Sequence, residues 1–229
     1  MYNIKTLRGT IFSVPIKYSK EFVQCLAGMV DGYMPIQVRD NGVLPILPIW
    51  RLTSPDEKDV LAFTGDKIDL MKIVEGNFDN NDIKSFAERC KKVFGRIMEV
   101  TGKICTRVAL APSVIVVEKG NKSTELFSRL YRIQKFGDVQ LESSNVSQVY
   151  RVDKEIEGKA VRINFVANFY AESDRITENG VSQMRERYMC DFDINTMVNP
   201  DNKFTTVGIN EFFEMAPECF KEFHELYFE

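Results

Sequence analysis

Apolar residues recur at every second position in some stretches of this chain and at every third or fourth in others, and the two periods divide it into strands and helices. Alternation over "TIFSVPIKYS" (10–19) predicts a strand. In "KEFVQCLAGMVDGY" (20–33) Phe22, Leu26, Met29 and Val30 stand at helical spacing, with a stop at Gly32. Strand-like segments follow at "PIQVRD", "LPIWRLTS", "DVLAFTG" and "KIDLMKIV"; "SPDEKD" (54–59) joins two of them and has the residues of a turn. The clearest element is "NDIKSFAERCKKVFGRIMEVTG" (81–102). Its Ile83, Phe86, Ala87, Cys90, Val93, Phe94, Ile97 and Met98 fall on one helical stripe, with a cap at Asp79 to Asn81 and Gly102 just past the end. A long strand, "KICTRVALAPSVIVVEKG", and a short helix at "STELFSRLYRI" (123–133), capped by Ser123 or Thr124, complete this part.

The second part has a similar order. "SQVYRVDKEI" and "KAVRINFVANFYAES" flank Glu157-Gly158, which reads as a hairpin turn. Val161, Ile163, Phe165, Ala167 and Phe169 alternate with Arg162, Asn164, Val166, Asn168 and Tyr170. "YMCDFDINTM" is the next strand. A polar loop, "VNPDNKFTTVG", then leads to a final helix from about Asn210 with a stripe of Phe213, Ala216, Phe220, Phe223 and Tyr227. Pro217 removes a backbone donor there and predicts a kink or a broken first turn. Both parts carry strands, an Asp-containing third strand, a polar loop and a long helix. The expected fold class is therefore α+β, with a largely antiparallel sheet from two related β-rich halves, 1–120 and 121–229, in one compact unit. Each half is expected to pack one amphipathic helix, 82–100 or 210–227, on a sheet face.

Composition narrows the function classes. A chain of 229 residues, 44% hydrophobic and 28% charged, can bury a core without disulfides or metals. Its net charge of -3 exerts no overall pull toward nucleic acid or anionic membrane. The longest apolar run, "VALAPSVIVV" (108–117), is too short to span a bilayer and contains Pro112, so no membrane association is expected. No secretory leader pattern opens the sequence, and the expected location is cytoplasmic. Cys25, Cys90, Cys105, Cys190 and Cys219 are odd in number, widely spaced and without zinc-site spacing, as expected of buried hydrophobes in a reducing compartment. A single histidine, His224, excludes two-histidine mechanisms and is expected at the surface, favouring the dipole of the last helix.

Asp191 and Asp193 project from one side of a strand. With Glu172 and Asp174 they form a candidate set for a hard cation, or they are the acids of a wet sheet face. "EKGNKST" (118–124) lacks the glycine spacing of a phosphate loop, and no G-x-S-x-G elbow is present. Phe165 and Phe169 share a face with Val161 and Ile163, which points to core rather than base stacking, and leaves Tyr170 and Arg162 on the other side. Arg89, Lys91, Lys92 and Arg96 lie on the polar side of the first long helix. Arg129, Arg132 and Lys135 form a second basic group, and Arg185 and Arg187 a third. Such groups are solvated faces unless the fold makes them converge. Arg89, Lys92, Arg96 and Arg162 are the candidate anion or nucleic-acid contacts. Arg107 would lower the pKa of the Cys105 thiol, and burial would oppose it. No cofactor is expected.

"IWRLTSPDEKDVLAFTGDKIDLMKI", the helix after it, "TRVALAPSVIVVEK" and "CDFDINTM" together resemble a sporadically distributed prokaryotic family of about this length, known by sequence rather than by biochemistry. In that family the strand after the helix usually continues with Arg and aromatic or Asn residues. Here it reads "RVALAPSVIV", so no role carried by those positions transfers. The resemblance implies a bacterial cytoplasmic protein of patchy distribution, as in mobile accessory and phage-defence loci. The expected function is a non-enzymatic binding or assembly protein with a protein partner or a second copy of itself; nucleic acid is not favoured. Tyr33 and Met34 are candidates for a partner patch. Two alternatives stand beside it. One is a metal-dependent enzyme using Asp191, Asp193, Glu172 and Asp174; the other is a nucleic-acid or nucleotide-signal sensor using Arg89, Lys92, Arg96 and the second-half strand face.

Overall fold

The computed structural model describes residues 2–13, 19, 22, 24, 26, 34–38, 49–118, 135–136, 139–140, 145–178, 181–199 and 201–228; some strand side chains, that of Asp174 among them, lie outside that description. The elements are β1 (Tyr2–Ser13), β2 (Met34–Val38), β3 (Ile49–Thr53), β4 (Asp59–Thr64), β5 (Lys67–Phe78), α1 (Asn80–Thr101), β6 (Cys105–Glu118), β7 (Lys135–Phe136), β8 (Val139–Gln140), β9 (Val146–Ile156), β10 (Lys159–Glu178), β11 (Val181–Thr196) and α2 (Thr206–Phe228). Nine of these strands form one sheet in the order β2-β3-β4-β5-β1-β6-β11-β10-β9, antiparallel throughout, and β7 and β8 form a separate ribbon. With its two long helices the architecture is α+β.

Alternation sorts each strand into two faces, and the registers join those faces into rows. Leu52, Leu61, Leu70, Gly9, Leu110, Ile194 and Phe165 face one another in turn across the sheet, and all are buried. The adjacent row points the other way: Arg51, Ala62, Asp69, Thr10, Ala109, Asn195, Asn164 and Arg151. Both helices meet the apolar face. Phe220 and Phe223 of α2 stack edge-on against Phe192 and Phe165 at 5.4 and 5.5 Å between ring centres. Phe94 of α1 and Phe213 of α2 are 5.7 Å apart. The helices run antiparallel, since Lys84 pairs with Glu218 at 2.6 Å and Lys91 with Glu214 at 2.8 Å while Gly95 lies beside Thr206. These ion pairs involve exposed partners and add little; aromatic burial carries the contact.

Gly9 sits under both helices. A Cβ there would meet Phe94 at 3.3 Å and Phe213 at 3.4 Å, with the Cys90 sulfur closer still. The helix ends are set locally and remotely. Asp79 accepts from the N–H groups of Asn81 and Asp82, and the Asp82 carboxylate accepts from that of Asp79, a reciprocal cap for α1. Gly102, at φ 60, ends that helix by donating to the Met98 carbonyl.

Several boundaries differ from the sequence pattern. β1 starts at Tyr2, not at Thr10, and its register shifts between Ile4 and Thr6. That bulge moves the buried series from Tyr2 and Ile4 to Leu7, Gly9 and Ile11, so the alternation breaks in mid-strand. α2 starts at Thr206 rather than near Asn210. Thr205 Oγ accepts from the Val207 N–H at 3.1 Å, and the Glu157 carboxylate accepts from the N–H groups of Thr205 and Gly208, each at 3.1 Å. Glu157 reaches them from the β9–β10 turn, where its own φ is 51 and that of Gly158 is 68. α2 continues unbroken through Pro217, so the expected break in its first turn is absent; buried Phe213 and Phe220 hold the turns on either side. Phe22, Gln24 and Leu26 are helical, and Phe22 and Leu26 are buried. Met29, Val30, Tyr33, the Met34 side chain and the helix expected at 123–133 lie outside the described residues. No helix among the described residues is long and apolar enough to cross a membrane.

His224 is half-buried in an aromatic cluster rather than free at the surface beside the helix dipole. Its ring lies 4.6 Å from that of Phe228 and 4.7 Å from that of Tyr2, close to Phe192 and Phe220. Burial lowers its pKa to about 4 from 6.5.

Gly9→Ala should lower stability by about 1–3 kcal/mol in chemical denaturation, from overpacking, and Cys90→Ala added to it should recover part of the loss. Glu157→Ala should cost about 1–2 kcal/mol in the same assay, from the lost cap on α2. His224 takes up a proton more readily in the unfolded chain, so stability should rise with pH from about 4 to 6.5 and be lost as pH falls through that window. In His224→Phe that slope should flatten, by on the order of 1 kcal/mol at about pH 5 after screening at the partly solvated ring edge. Denaturation midpoints across this pH range measure it.

Candidate functional site

The sheet face opposite the helices collects most of the polar side chains of the central strands. Asp191 and Asp193 alternate along β11 with buried Phe192 and Ile194, and Glu172 lies on the same face of β10. These three line one hollow of about 320 Å³ with Lys5, Thr6 and Arg8 of β1, Met71 of β5, Ser113 of β6, and Asn168 and Tyr170 of β10. The hollow forms because small residues, Ala111 and Ser113, stand on β6 between longer neighbours on β1 and β11.

Each carboxylate in the hollow faces different donors. Asp191 Oδ1 accepts from Ser113 Oγ and from Tyr170 Oη, the latter at 3.1 Å. Glu172 accepts from Lys5 Nζ at 2.6 Å and from Arg187 Nε at 3.1 Å. The Arg187 side chain is fully buried, and a buried guanidinium requires such a partner, so Glu172 is committed to it. Burial raises the pKa of Asp193, opposed by hydrogen bonding from Asn195 and by the charges of Arg107, Arg8 and Lys67. Burial and the Asp191 charge push the Tyr170 hydroxyl up to about 12, which keeps it a donor at neutral pH.

Among the described residues, no three His, Cys, Asp or Glu side chains gather closely enough to hold a metal ion. Asp174 is paired with Arg185 along the backbone, and its side chain lies outside the described residues. The four candidate cations occupy two surfaces. Arg89 reaches Asp59 of β4 at 2.7 Å, Arg96 pairs with Glu99 at 3.3 Å, and Lys92 is exposed beside Arg96 on α1. Arg162 is on the helix-free face, held by Asp153 of β9 at 2.9 Å. Phe165 and Phe169 pack against Phe223 and Tyr227 on the helix side, which leaves Tyr170 on the open face as alternation predicts. Arg187, grouped by sequence with solvated cations, is instead buried.

Sequence reasoning missed Lys5 and Arg8, because the first half of β1 carries the bulge that conceals it. It also missed cross-strand ladders, which depend on register rather than on any one strand. Arg151 Nε donates to Asn164 at 3.2 Å, and Asn164 Nδ2 donates to Asn195 at 3.1 Å. Thr10 Oγ1 donates to Asp69 at 2.6 Å, and Lys67 pairs with Asp69 at 3.0 Å. Arg107 lies over the Phe12 ring at 4.9 Å. Among the described residues the thiols offer no reactive alternative, and Cys25 lies outside them. Cys90, Cys105, Cys190 and Cys219 are buried, and burial pushes Cys105 up to about 12 despite hydrogen bonding to backbone that favours the thiolate.

No protein-family model matches the chain, and no curated protein matches it. Among solved structures, the rolling circle replication initiator protein from Geobacillus stearothermophilus aligns with 94% of this chain and 78% of its own length, at 9% identity and a TM-score of 0.29. A likeness that distant carries no argument about function.

Proposed function

We propose that the protein works by binding rather than by catalysis, as a binding or assembly component of a prokaryotic accessory system such as phage defence, with the helix-free sheet face as its contact surface. One observation carries this reading. At the centre of that face Asp69, Glu172 and Asp191 are engaged by side chains of their own chain, while Arg8 and Arg51 are exposed and have no side-chain hydrogen bond or ion pair among the described residues. A solvated guanidinium offers several donors to an incoming acceptor, whereas a carboxylate already bonded on the open side is poorly placed as a general base. The row from Arg51 to Arg151 covers seven interstrand steps, roughly 34 Å, a span suited to a macromolecular contact.

We also infer that two related halves build this face. The strand order supports it: β5, β4 and β3 extend from β1 in one direction as β11, β10 and β9 extend from β6 in the other, and a helix follows each inner strand, β5 and β11. On this reading the halves meet between α1 and β6 rather than at residue 120, and Arg51 and Arg151 hold equivalent places.

A second reading, a nucleic-acid or nucleotide-signal sensor, draws on the same cations. Arg8, Arg51 and the Arg107 guanidinium stacked on Phe12 would face a polyanion together, while Arg89, Lys92 and Arg96 lie on another surface and take no part.

Native mass spectrometry of tagged protein from its own host should find a second component other than another copy of the chain. Arg8→Glu with Arg51→Glu should lose that component without a change in melting temperature. A nucleotide or oligonucleotide mass, with binding that weakens steeply as salt rises, selects the second reading. Wild-type protein that carries no such component overturns both.

A further inference from the structure

β9 closes one end of the sheet, and among the described residues its outer side pairs with nothing. The two-residue Glu157-Gly158 turn makes Ile156 and Lys159 the closing hydrogen-bonded pair of the β9–β10 hairpin. Counting back from there, the backbone groups of Lys154, Val152 and Tyr150 point toward β10. Those of Ser147, Val149, Arg151, Asp153 and Glu155 point outward, a row of donors and acceptors that is unpaired among the described residues.

Edge strands are normally blunted by charged side chains, proline, a bulge or a cover; the charges of β9, Arg151, Asp153, Lys154 and Glu155, are of both signs and so can pair with a second copy. β9 has no proline, and its register with β10 is unbroken from Val146 to Ile156. Its apolar side chains are also solvated: Val149, Tyr150 and Val152 are 46, 45 and 44% exposed.

We propose that β9 is a dimerisation edge, through which two copies of the chain pair antiparallel about a two-fold axis at Val152. A closed two-fold dimer of this kind keeps the helices of both copies on one side, and its axis must pass between a residue and its own copy. Charge then selects the register. An axis at Arg151 sets two arginines opposite each other, and one at Asp153 sets two aspartates opposite each other; both repel. An axis at Tyr150 places Arg151 opposite Val149 and Asp153 opposite Ser147, so neither charge meets its complement. With the axis at Val152, Arg151 of each copy faces Asp153 of the other. Those two pairs fall on outward-pointing residues, where ladder hydrogen bonds form, and Val152 meets Val152 at the axis. Asp153, already bonded to Arg162 at 2.9 Å, then stands between two guanidiniums. Arg151 and Asp153 stand at the far end of the face that carries Arg8 and Arg51, so the charge swaps at β9 leave those two arginines unchanged and the dimer is tested separately from the ligand surface.

Light scattering at tens of micromolar protein, with native mass spectrometry, tests it. The wild-type chain should be a dimer. Arg151→Asp and Asp153→Arg should each be monomeric, since each sets like charges opposite one another twice. The double variant should dimerise again. An equimolar mixture of the two single variants should form a heterodimer, because each supplies the charge the other lacks; this recovery also shows that both remain folded. A monomeric wild-type chain, or an Arg151→Asp variant that dimerises as the wild type does, overturns the proposal.

Discussion

Two helices share one face of one sheet, and Gly9 is where all three surfaces meet. An apolar row crosses the sheet beneath the helices, and Gly9 is the only member of it without a side chain. Cys90, Phe94 and Phe213 fill the space that a Cβ would take. Interiors are packed like organic solids, so this gap lets α1 and α2 lie close to β1 and to each other. The distance between Phe94 and Phe213, and the reach of Phe220 and Phe223 to β11 and β10, follow from that approach.

One-sided burial decides the character of the other face. With both helices spent on the apolar side, the opposite side must be satisfied by its own polar groups or by water. The chain does the first for three acids at the centre: Glu172 holds the buried Arg187, Asp191 holds Ser113 and Tyr170, and Asp69 holds Thr10 and Lys67, while Asp193 Oδ1 is buried without a partner among the described residues. The cations without a side-chain partner among the described residues are Arg8, beside the central hollow, and Arg51, nearer the edge, although the chain as a whole carries -3. Net charge therefore says little about this surface; the pairing of its acids says more.

The acidic pair at Asp191 and Asp193 was conspicuous in the sequence because two carboxylates alternate on a strand. Its meaning depends on what the neighbouring strands place against it. Ser113 comes from β6 and Tyr170 from β10, 78 and 21 residues away along the chain. Lys5, which engages Glu172, is 167 residues from it. No local spacing discloses partners at such separations, so the side chains of their own chain that these acids engage were not legible until the register was known.

Local chemistry did determine much of the rest. The stripe from Ile83 to Met98, with Asp79 before it and Gly102 after it, specifies α1 completely, because caps and helical periodicity act within a few residues. Alternation from Val161 to Phe169 assigned the inner and outer faces of β10, and Glu157-Gly158 marked its turn, for the same reason. What only tertiary structure decided involves contacts between distant segments: the bulged first half of β1, the start of α2 under the Glu157 carboxylate, the partial burial of His224 among Tyr2, Phe192 and Phe228, and the company that Asp191 and Glu172 keep. Periodicity records which side of an element is buried; strand order and register decide what that side meets.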